Sequence, residues 1–283
     1  MPTRLRIITF DELPNWMKDN DLVITGYRAP TPSFWICAKT LFSLHNETLS
    51  IWSHLLASIY FFSLYASDLK YRHCRTLVND DLFLKLYYLT ATIAFICSAI
   101  YHLFCCYSHY VRDILVKVDY IGITIFITGS FMTWLYYAFH GETSQNCVYL
   151  YAICFGGLLV GILTQLDHFN ARESRGHRAG IYVIFGLSLT IPAILLFQKS
   201  CKSRQTTKII SSVIYTTIIY MTGGFIYTTR LTERLWPGKV DIIGHSHQIF
   251  HVIVVIASIV HEKMIVFIAT TNEEMVDTKK WLL

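Results

Sequence analysis

Charge is what this chain has least of. Asp, Glu, Lys and Arg make up 15% of its 283 residues, against about 25% in soluble domains. Hydrophobic residues make up 53%, and the mean hydropathy is +0.42, so a soluble globular protein of this length is excluded. The net charge is only +5. The basic residues sit in short loops between apolar runs, which suits lipid headgroups better than nucleic acid. No basic stripe is interleaved with aromatics, and there is no RNA- or DNA-binding motif. None of the eight cysteines (Cys37, Cys74, Cys97, Cys105, Cys106, Cys147, Cys154 and Cys201) forms a Cys-x2-Cys pair. They read as unpaired structural or interfacial thiols. Residues Met1 to Phe10 carry two arginines and too short an apolar run for a cleavable signal. The first long apolar segment, near residue 48, is therefore expected to act as a spanning anchor.

What the chain has in place of charge is long apolar runs. A spanning helix needs about 20 mostly apolar residues. Seven segments qualify, at roughly 48–66, 83–104, 115–137, 147–166, 180–198, 209–227 and 248–269. The fold class expected is all-α, a seven-transmembrane helix bundle. Residues 1–47 form an N-terminal segment, 48–269 the bundle and 270–283 a tail. Pro192 lies inside the fifth span and should kink it, leaving a carbonyl for a neighbour to satisfy. Leu13, Trp16 and Met17 fall at helical spacing among Asp11, Glu12, Lys18, Asp19 and Asp21. This reads as a short amphipathic helix along the membrane surface or, equally, as a packing element.

An odd number of spans puts the termini on opposite sides. Lys and Arg are slightly more numerous on the N-terminal side, which carries the tail and the loops holding Arg112, Arg172 and Arg230. The positive-inside rule therefore favours a cytoplasmic N-terminus and an extracellular C-terminus. Asn46-Glu47-Thr48 is a glycosylation sequon by pattern. A cytoplasmic N-terminus predicts that it stays bare.

The chemistry starts from His247-Gln-Ile-Phe-His251. Residues four apart stack on one face of a helix, so both imidazoles can reach one point. Span parity adds more. Even-numbered spans end on the N-terminal side and odd-numbered spans begin there. His102 ends span two, Asp119 begins span three, and His247 and His251 begin span seven. Arg178 and Tyr227 join the same face. Ionisable groups at membrane depth cost free energy and survive when paired, hydrated or bound to metal. Three neutral imidazoles (His102, His247 and His251) suit Zn2+ and leave its fourth position open. Zinc held this way lowers the pKa of a water toward about 7, and Asp119 could accept that water's proton. Structurally, zinc could instead staple spans two, three and seven, with Asp119 orienting a histidine. Ser98, one turn before His102, could touch the same water or a histidine, or simply pack helices. The remaining histidines have ordinary explanations. His54, His140, His168 and His261 read as interfacial, and His45, His73, His109, His177 and His245 as solvated loop residues.

These residues lie in motifs that resemble the progestin and adipoQ receptor family, on its adiponectin-receptor-like branch. They are Ser98-Ala-Ile-Tyr-His102, Lys117-Val-Asp119-Tyr120-Ile-Gly122 and Ser246-His247-Gln-Ile-Phe-His251. The stretch from Leu13 to Phe34, the run from Asn46 to His54, Arg175-Gly-His-Arg178-Ala-Gly180 and Glu233-Arg234-Leu-Trp-Pro237-Gly238-Lys239 also match, in order along nearly the whole chain. The resemblance implies a cytoplasmic N-terminus and zinc on His102, His247 and His251, with Asp119 meeting the zinc through water. It implies that Tyr120, Arg178 and Tyr227 line a lipid cavity. It further implies an extracellular adipokine-like protein ligand, a cytoplasmic adaptor, and ceramidase-like hydrolysis of a lipid amide such as ceramide to a fatty acid and a sphingoid base. A membrane-lipid sensor or organelle-resident scaffold with purely structural zinc is the alternative. The membrane expected is the plasma membrane, with Golgi or ER as alternatives. A conventional G-protein-coupled receptor is disfavoured, because no Asp-Arg-Tyr follows span three and no Asn-Pro-x2-Tyr lies in span seven. The chain departs from the branch at both ends: it lacks the long cytoplasmic extension of the vertebrate receptors, and its sequence after His261 differs.

Overall fold

The computed structural model describes residues 6–71, 80–139, 143–167, 174–188, 190–200 and 204–281. After a short helix α1 (Phe34–Lys39) come α2 (Thr48–Tyr71), α3 (Asp80–Phe104), α4 (His109–Ala138) and α5 (Thr143–Leu163). Then follow α6 (Arg175–Leu187), α7 (Thr190–Ser200), α8 (Arg204–Thr229), the one-turn α9 (Leu231–Leu235) and α10 (Ser246–Trp281). Among the described residues, six helical segments are long and apolar enough to cross a membrane, and Cys147–Leu163 is a shorter apolar helix. These correspond to the seven expected runs.

Each helix packs on the next in a ring running α2, α3, α4, α5, α6, α8, α10 and back to α2. Helix α10 also touches α3 and α4, so its inner face looks into the middle of the bundle. Helix α4 starts earlier than its apolar run, because the Ser108 hydroxyl accepts the Val111 amide 3.3 Å away and caps the helix. The fifth span is described in two segments, α6 and α7, with Pro192 in the second. Pro192 has no amide proton for the Ser188 carbonyl four residues back. That carbonyl instead accepts the Ile191 amide at 3.2 Å.

Aromatic rings fill the centre. Phe61 and Phe95 stack with centroids 5.7 Å apart, and Tyr87, Phe126 and Trp134 are buried around them. The outside is apolar as well: Leu56, Phe62, Tyr151, Phe155, Leu158, Ile194 and Ile218 are exposed. An apolar exterior on long apolar helices is the pattern of a bundle solvated by lipid.

The N-terminal segment lies across one end of the bundle. Strands β1 (Ile7–Ile8) and β2 (Tyr27–Arg28) pair antiparallel, with Ile7 opposite Arg28. The Thr31 amide bonds the Cys106 carbonyl, Asp241 accepts the Ile24 and Thr25 amides, and Asp21 pairs with Arg230. The surface helix expected around residues 13–17 is a single 3-10 turn, Asn15–Met17. Leu13 is buried there, and Trp16 packs on His109. These apolar residues face protein rather than lipid. The helix with membrane-facing character is α1, where Cys37 is buried while Phe34 and Trp35 are exposed, as are Phe42 and Leu44 just after it.

Candidate metal centre

Local capping fixes where α10 begins, and hence where its histidines point. The Gln248 side chain accepts the Gly244 amide at 2.7 Å and donates to the carbonyls of Asn46 and Ile242. Glu233, fully buried on α9, accepts the Ser246 amide at 2.8 Å and the Ser246 hydroxyl at 2.6 Å, while Asn20 donates to it at 2.7 Å. Burial alone would push the Glu233 carboxyl up; the Ser246 bonds outweigh it and hold the group below its ordinary value. A carboxylate at a helix N-terminus also suits the helix dipole.

From this start, His247 and His251 project one turn apart toward His102 on α3. His247 Nε2 lies 3.4 Å from His102 Nε2 and 3.2 Å from His251 Nε2. The three ligand atoms all fall within 4.8 Å of one another. A tetrahedral zinc with bonds of about 2.0–2.1 Å holds its nitrogens roughly 3.3 Å apart. The separations from His247 Nε2 to the other two rings match that spacing, so the three residues could hold such an ion.

The other end of the His102 ring is held too. His102 Nδ1 lies 2.8 Å from Glu47 Oε2, which orients the ring with Nε2 toward the other histidines. Burial pushes the Glu47 carboxyl up, but the His102 ring more than offsets this and lowers it. The end of α3 is tied down by Arg28, almost fully buried. Its guanidinium donates to the carbonyls of His102 and Leu103 and to the Thr40 hydroxyl. A cation on the last carbonyls of a helix serves as its C-terminal cap.

Asp119 is buried on α4 near His102, with Ser98 as its side-chain partner. Its Oδ1 has no hydrogen-bond partner among the described residues, so the carboxylate keeps an open acceptor. Ser98 is buried on α3 one turn before His102. A cavity of about 310 Å³ under the N-terminal segment reaches His102, His247, Asp119, Tyr120, Arg178 and Tyr227 together. Arg178 sits 5.6 Å from the Tyr120 ring centre, and Tyr227 packs on His247 at 5.2 Å. His251 and Ser98 do not line this cavity; His251 lies behind it, against His247.

Four histidines depart from their ordinary explanations. His54 is buried and stacked on His251 at 3.9 Å, and His261 is buried beside Tyr87. Neither is interfacial, because both turn into the bundle. His45 and His245 are buried rather than solvated. His45 bonds the Thr40 carbonyl and His245 the Asn46 carbonyl. His109 and His177 are exposed as expected; His73, His140 and His168 lie outside the described residues. Asn46 is itself buried, which closes the sequon to a glycan in this fold.

A family model described as "Haemolysin-III related" matches residues 42–262. The chain belongs to this haemolysin-III-related family. It is 37% identical over 262 residues to the "ADIPOR-like receptor IZH2" of Saccharomyces cerevisiae, covering 90% of this chain and 82% of the yeast protein. It is 34% identical over 257 residues to the "Adiponectin receptor protein" of Drosophila melanogaster, covering 90% of this chain and 58% of the fly protein. It is also 30% identical over 265 residues to "Heptahelical transmembrane protein 1" of Arabidopsis thaliana, covering 91% of this chain and 80% of the plant protein. The chain thus spans little more than half of the fly relative. Within the haemolysin-III-related family it is an adiponectin-receptor-like integral membrane protein. The matched region contains Glu47, His54, His102, Asp119, His247 and His251.

Two elements of the site escaped sequence reading. Glu47 was visible only as the middle of a glycosylation sequon, although Asn46 to His54 as a block was a usable signal. Arg28 gave none, because what it binds is backbone far along the chain.

Proposed function

We propose that this chain is a seven-span, zinc-binding, adiponectin-receptor-like protein that hydrolyses a lipid amide of the ceramide class. The observation that carries this reading is the convergence of three imidazoles, with His247 Nε2 at tetrahedral spacing from His102 Nε2 and His251 Nε2, in a bundle that also buries a carboxylate with an open oxygen. His102, His247 and His251 would hold the ion, with Glu47 orienting His102. When bound there, zinc polarises a carbonyl and acidifies a water. Asp119 accepts a proton from the attacking water and delivers it to the leaving amine. Arg178 and Tyr227, which share the cavity, orient the polar head, and Tyr120 supports Arg178. The products are a fatty acid and a sphingoid base.

The reading includes a cytoplasmic N-terminus, with the metal on that side, and an extracellular C-terminus, most naturally in the plasma membrane. The relatives' names support a receptor role; the same reading places an adipokine-like protein outside and an adaptor inside. The test is purified protein with labelled ceramide, comparing wild type with Asp119→Ala and His251→Ala. Release of fatty acid by wild type alone is expected; equal release by all three ends the hydrolase reading. Metal analysis should give about one zinc per wild-type chain, and much less ends the zinc reading.

One observation favours a second reading. Helices α3 and α10 pack sparsely on each other, yet supply all three histidines. Zinc acting only as a staple between them would make the protein a membrane-lipid sensor or scaffold. It predicts zinc binding and a loss of thermal stability with chelator, without ceramide turnover.

A further inference from the structure

Away from the metal, two sulfurs meet without a role in the proposed hydrolysis. Cys37, on the inner side of α1, lies 3.7 Å (Sγ to Sγ) from Cys106, in the turn between α3 and α4. Both side chains are buried, at 0% and 1% exposure. They come from elements 69 residues apart in sequence. The meeting is a tertiary one and is held on both sides. Cys37 Sγ bonds the Thr31 carbonyl at 3.3 Å, and the Thr31 amide bonds the Cys106 carbonyl at 2.9 Å. We propose that Cys37 and Cys106 form a reversible dithiol–disulfide switch that locks the N-terminal segment onto the metal-bearing end of the bundle.

Geometry, access and charge support it. A disulfide needs sulfurs at about 2.05 Å, so closure asks for a movement of under 2 Å from two side chains already in contact. Cys106 lines the cavity, which brings a molecule as small as hydrogen peroxide to within one sulfur–sulfur contact, 3.7 Å, of Cys37. The Arg28 guanidinium acts electrostatically on both thiols, favouring the thiolate that reacts. The Cys106 thiol, hydrogen-bonded to Cys37, holds the Cys37 thiol below its ordinary value; burial opposes this and Arg28 adds to it.

Cys37 is thus the attacking sulfur. Its thiolate bonds to one peroxide oxygen, the O–O bond breaks, and a sulfenic acid and one water result after protonation. The Cys106 sulfur then bonds to the Cys37 sulfur, and the sulfenic oxygen leaves as a second water, taking up the Cys106 proton. Two thiols are oxidised to one disulfide and one peroxide is reduced to two waters. The bond ties α1 to a point four residues past His102, beside the Arg28 cap.

The resting thiol state rests on the cytoplasmic placement proposed above, since cytosolic disulfides are mostly transient and redox-sensing. The test is acid-quenched alkylation of intact cells with and without peroxide, then mass spectrometry of the purified full chain. The expected result is free Cys37 and Cys106 at rest, a Cys37–Cys106 linked peptide after peroxide, and its loss with dithiothreitol. Cys105→Ser should leave that peptide intact, whereas Cys37→Ser should abolish it. Absence of the linked peptide after peroxide, or a Cys105 linkage in its place, overturns the proposal. So does a bond already complete in untreated cells. Membrane-impermeant labelling of the exposed Lys39 in intact cells reports the placement separately, so the two failures are distinguishable.

Discussion

Glu47 Oε2 sits 2.8 Å from His102 Nδ1, so the residue just before the first spanning helix orients a ring of the proposed metal centre on the second. Carboxylates that orient a ligating histidine are commonly worth about 10–100-fold in metal affinity. Glu47→Gln keeps the size and removes the charge. Chelator competition on the purified protein should show zinc held roughly 10–100-fold more weakly. Unchanged affinity would mean that Glu47 does not orient the ligand.

Arg28 bonds backbone rather than the imidazoles of the proposed metal centre, and it holds the end of the helix that carries His102. It is buried and donates to two backbone carbonyls and the Thr40 hydroxyl. Hydrogen bonds from charged groups are worth about 1.5–3 kcal/mol, and stranding their partners costs more. Arg28→Ala should destabilise the protein by at least that order, seen as a lower melting temperature in detergent with zinc retained at low temperature. Arg28→Lys should rescue only part, because a single ammonium cannot span both carbonyls and the hydroxyl.

How much of this was legible in the sequence depends on the range over which each contact forms. His247 and His251 are four residues apart, so helical periodicity alone pairs them. His102, Asp119, Arg178 and Tyr227 needed only the count of spans, because parity assigns each to an end of the bundle. Arg28 binds a carbonyl 74 residues away, and Glu47 a ring 55 residues away. No local period encodes such meetings. The N-terminal segment left two readings open, a surface helix and a packing element, and the structure shows the second. The spacing of Leu13, Trp16 and Met17 does mark one apolar face, but spacing does not say what covers it. Here the covering surface is the bundle itself, so one turn suffices and no surface helix forms. A position near a span end suggests an interface for His54 and His261, but it does not say which way a ring turns, and both turn onto the buried inner faces of α2 and α10.

Gly122 tests the packing that sets Asp119 against α3. A Cβ built at Gly122 would come 3.1 Å from Ala94 Cα, which is backbone and cannot swing aside. Small residues let membrane helices approach this closely. Gly122→Leu should push α4 from α3 one turn from Asp119, lowering folded yield and the melting temperature. Gly224, where an added Cβ meets nothing within 4 Å, is the control. Gly224→Leu should leave both near wild type. Equal tolerance at the two positions would show that α3 and α4 do not pack this closely.

Acid sensitivity follows from Glu233. Its carboxyl is held below its ordinary value in the folded protein, burial notwithstanding, by the Ser246 hydroxyl and amide. A carboxylate with a lowered folded value stabilises fully above its unfolded value, near 4.3 for glutamate. That contribution is lost as pH falls from there through the lower folded value. Wild-type stability in detergent should therefore drop on acidification below about pH 4.3, whereas Glu233→Gln should be less stable at neutral pH and lose less across the same interval. Because Glu233 caps the helix that carries His247 and His251, zinc retention should fall with the same variant at neutral pH. Parallel acid curves for the two proteins would remove Glu233 as the group that titrates.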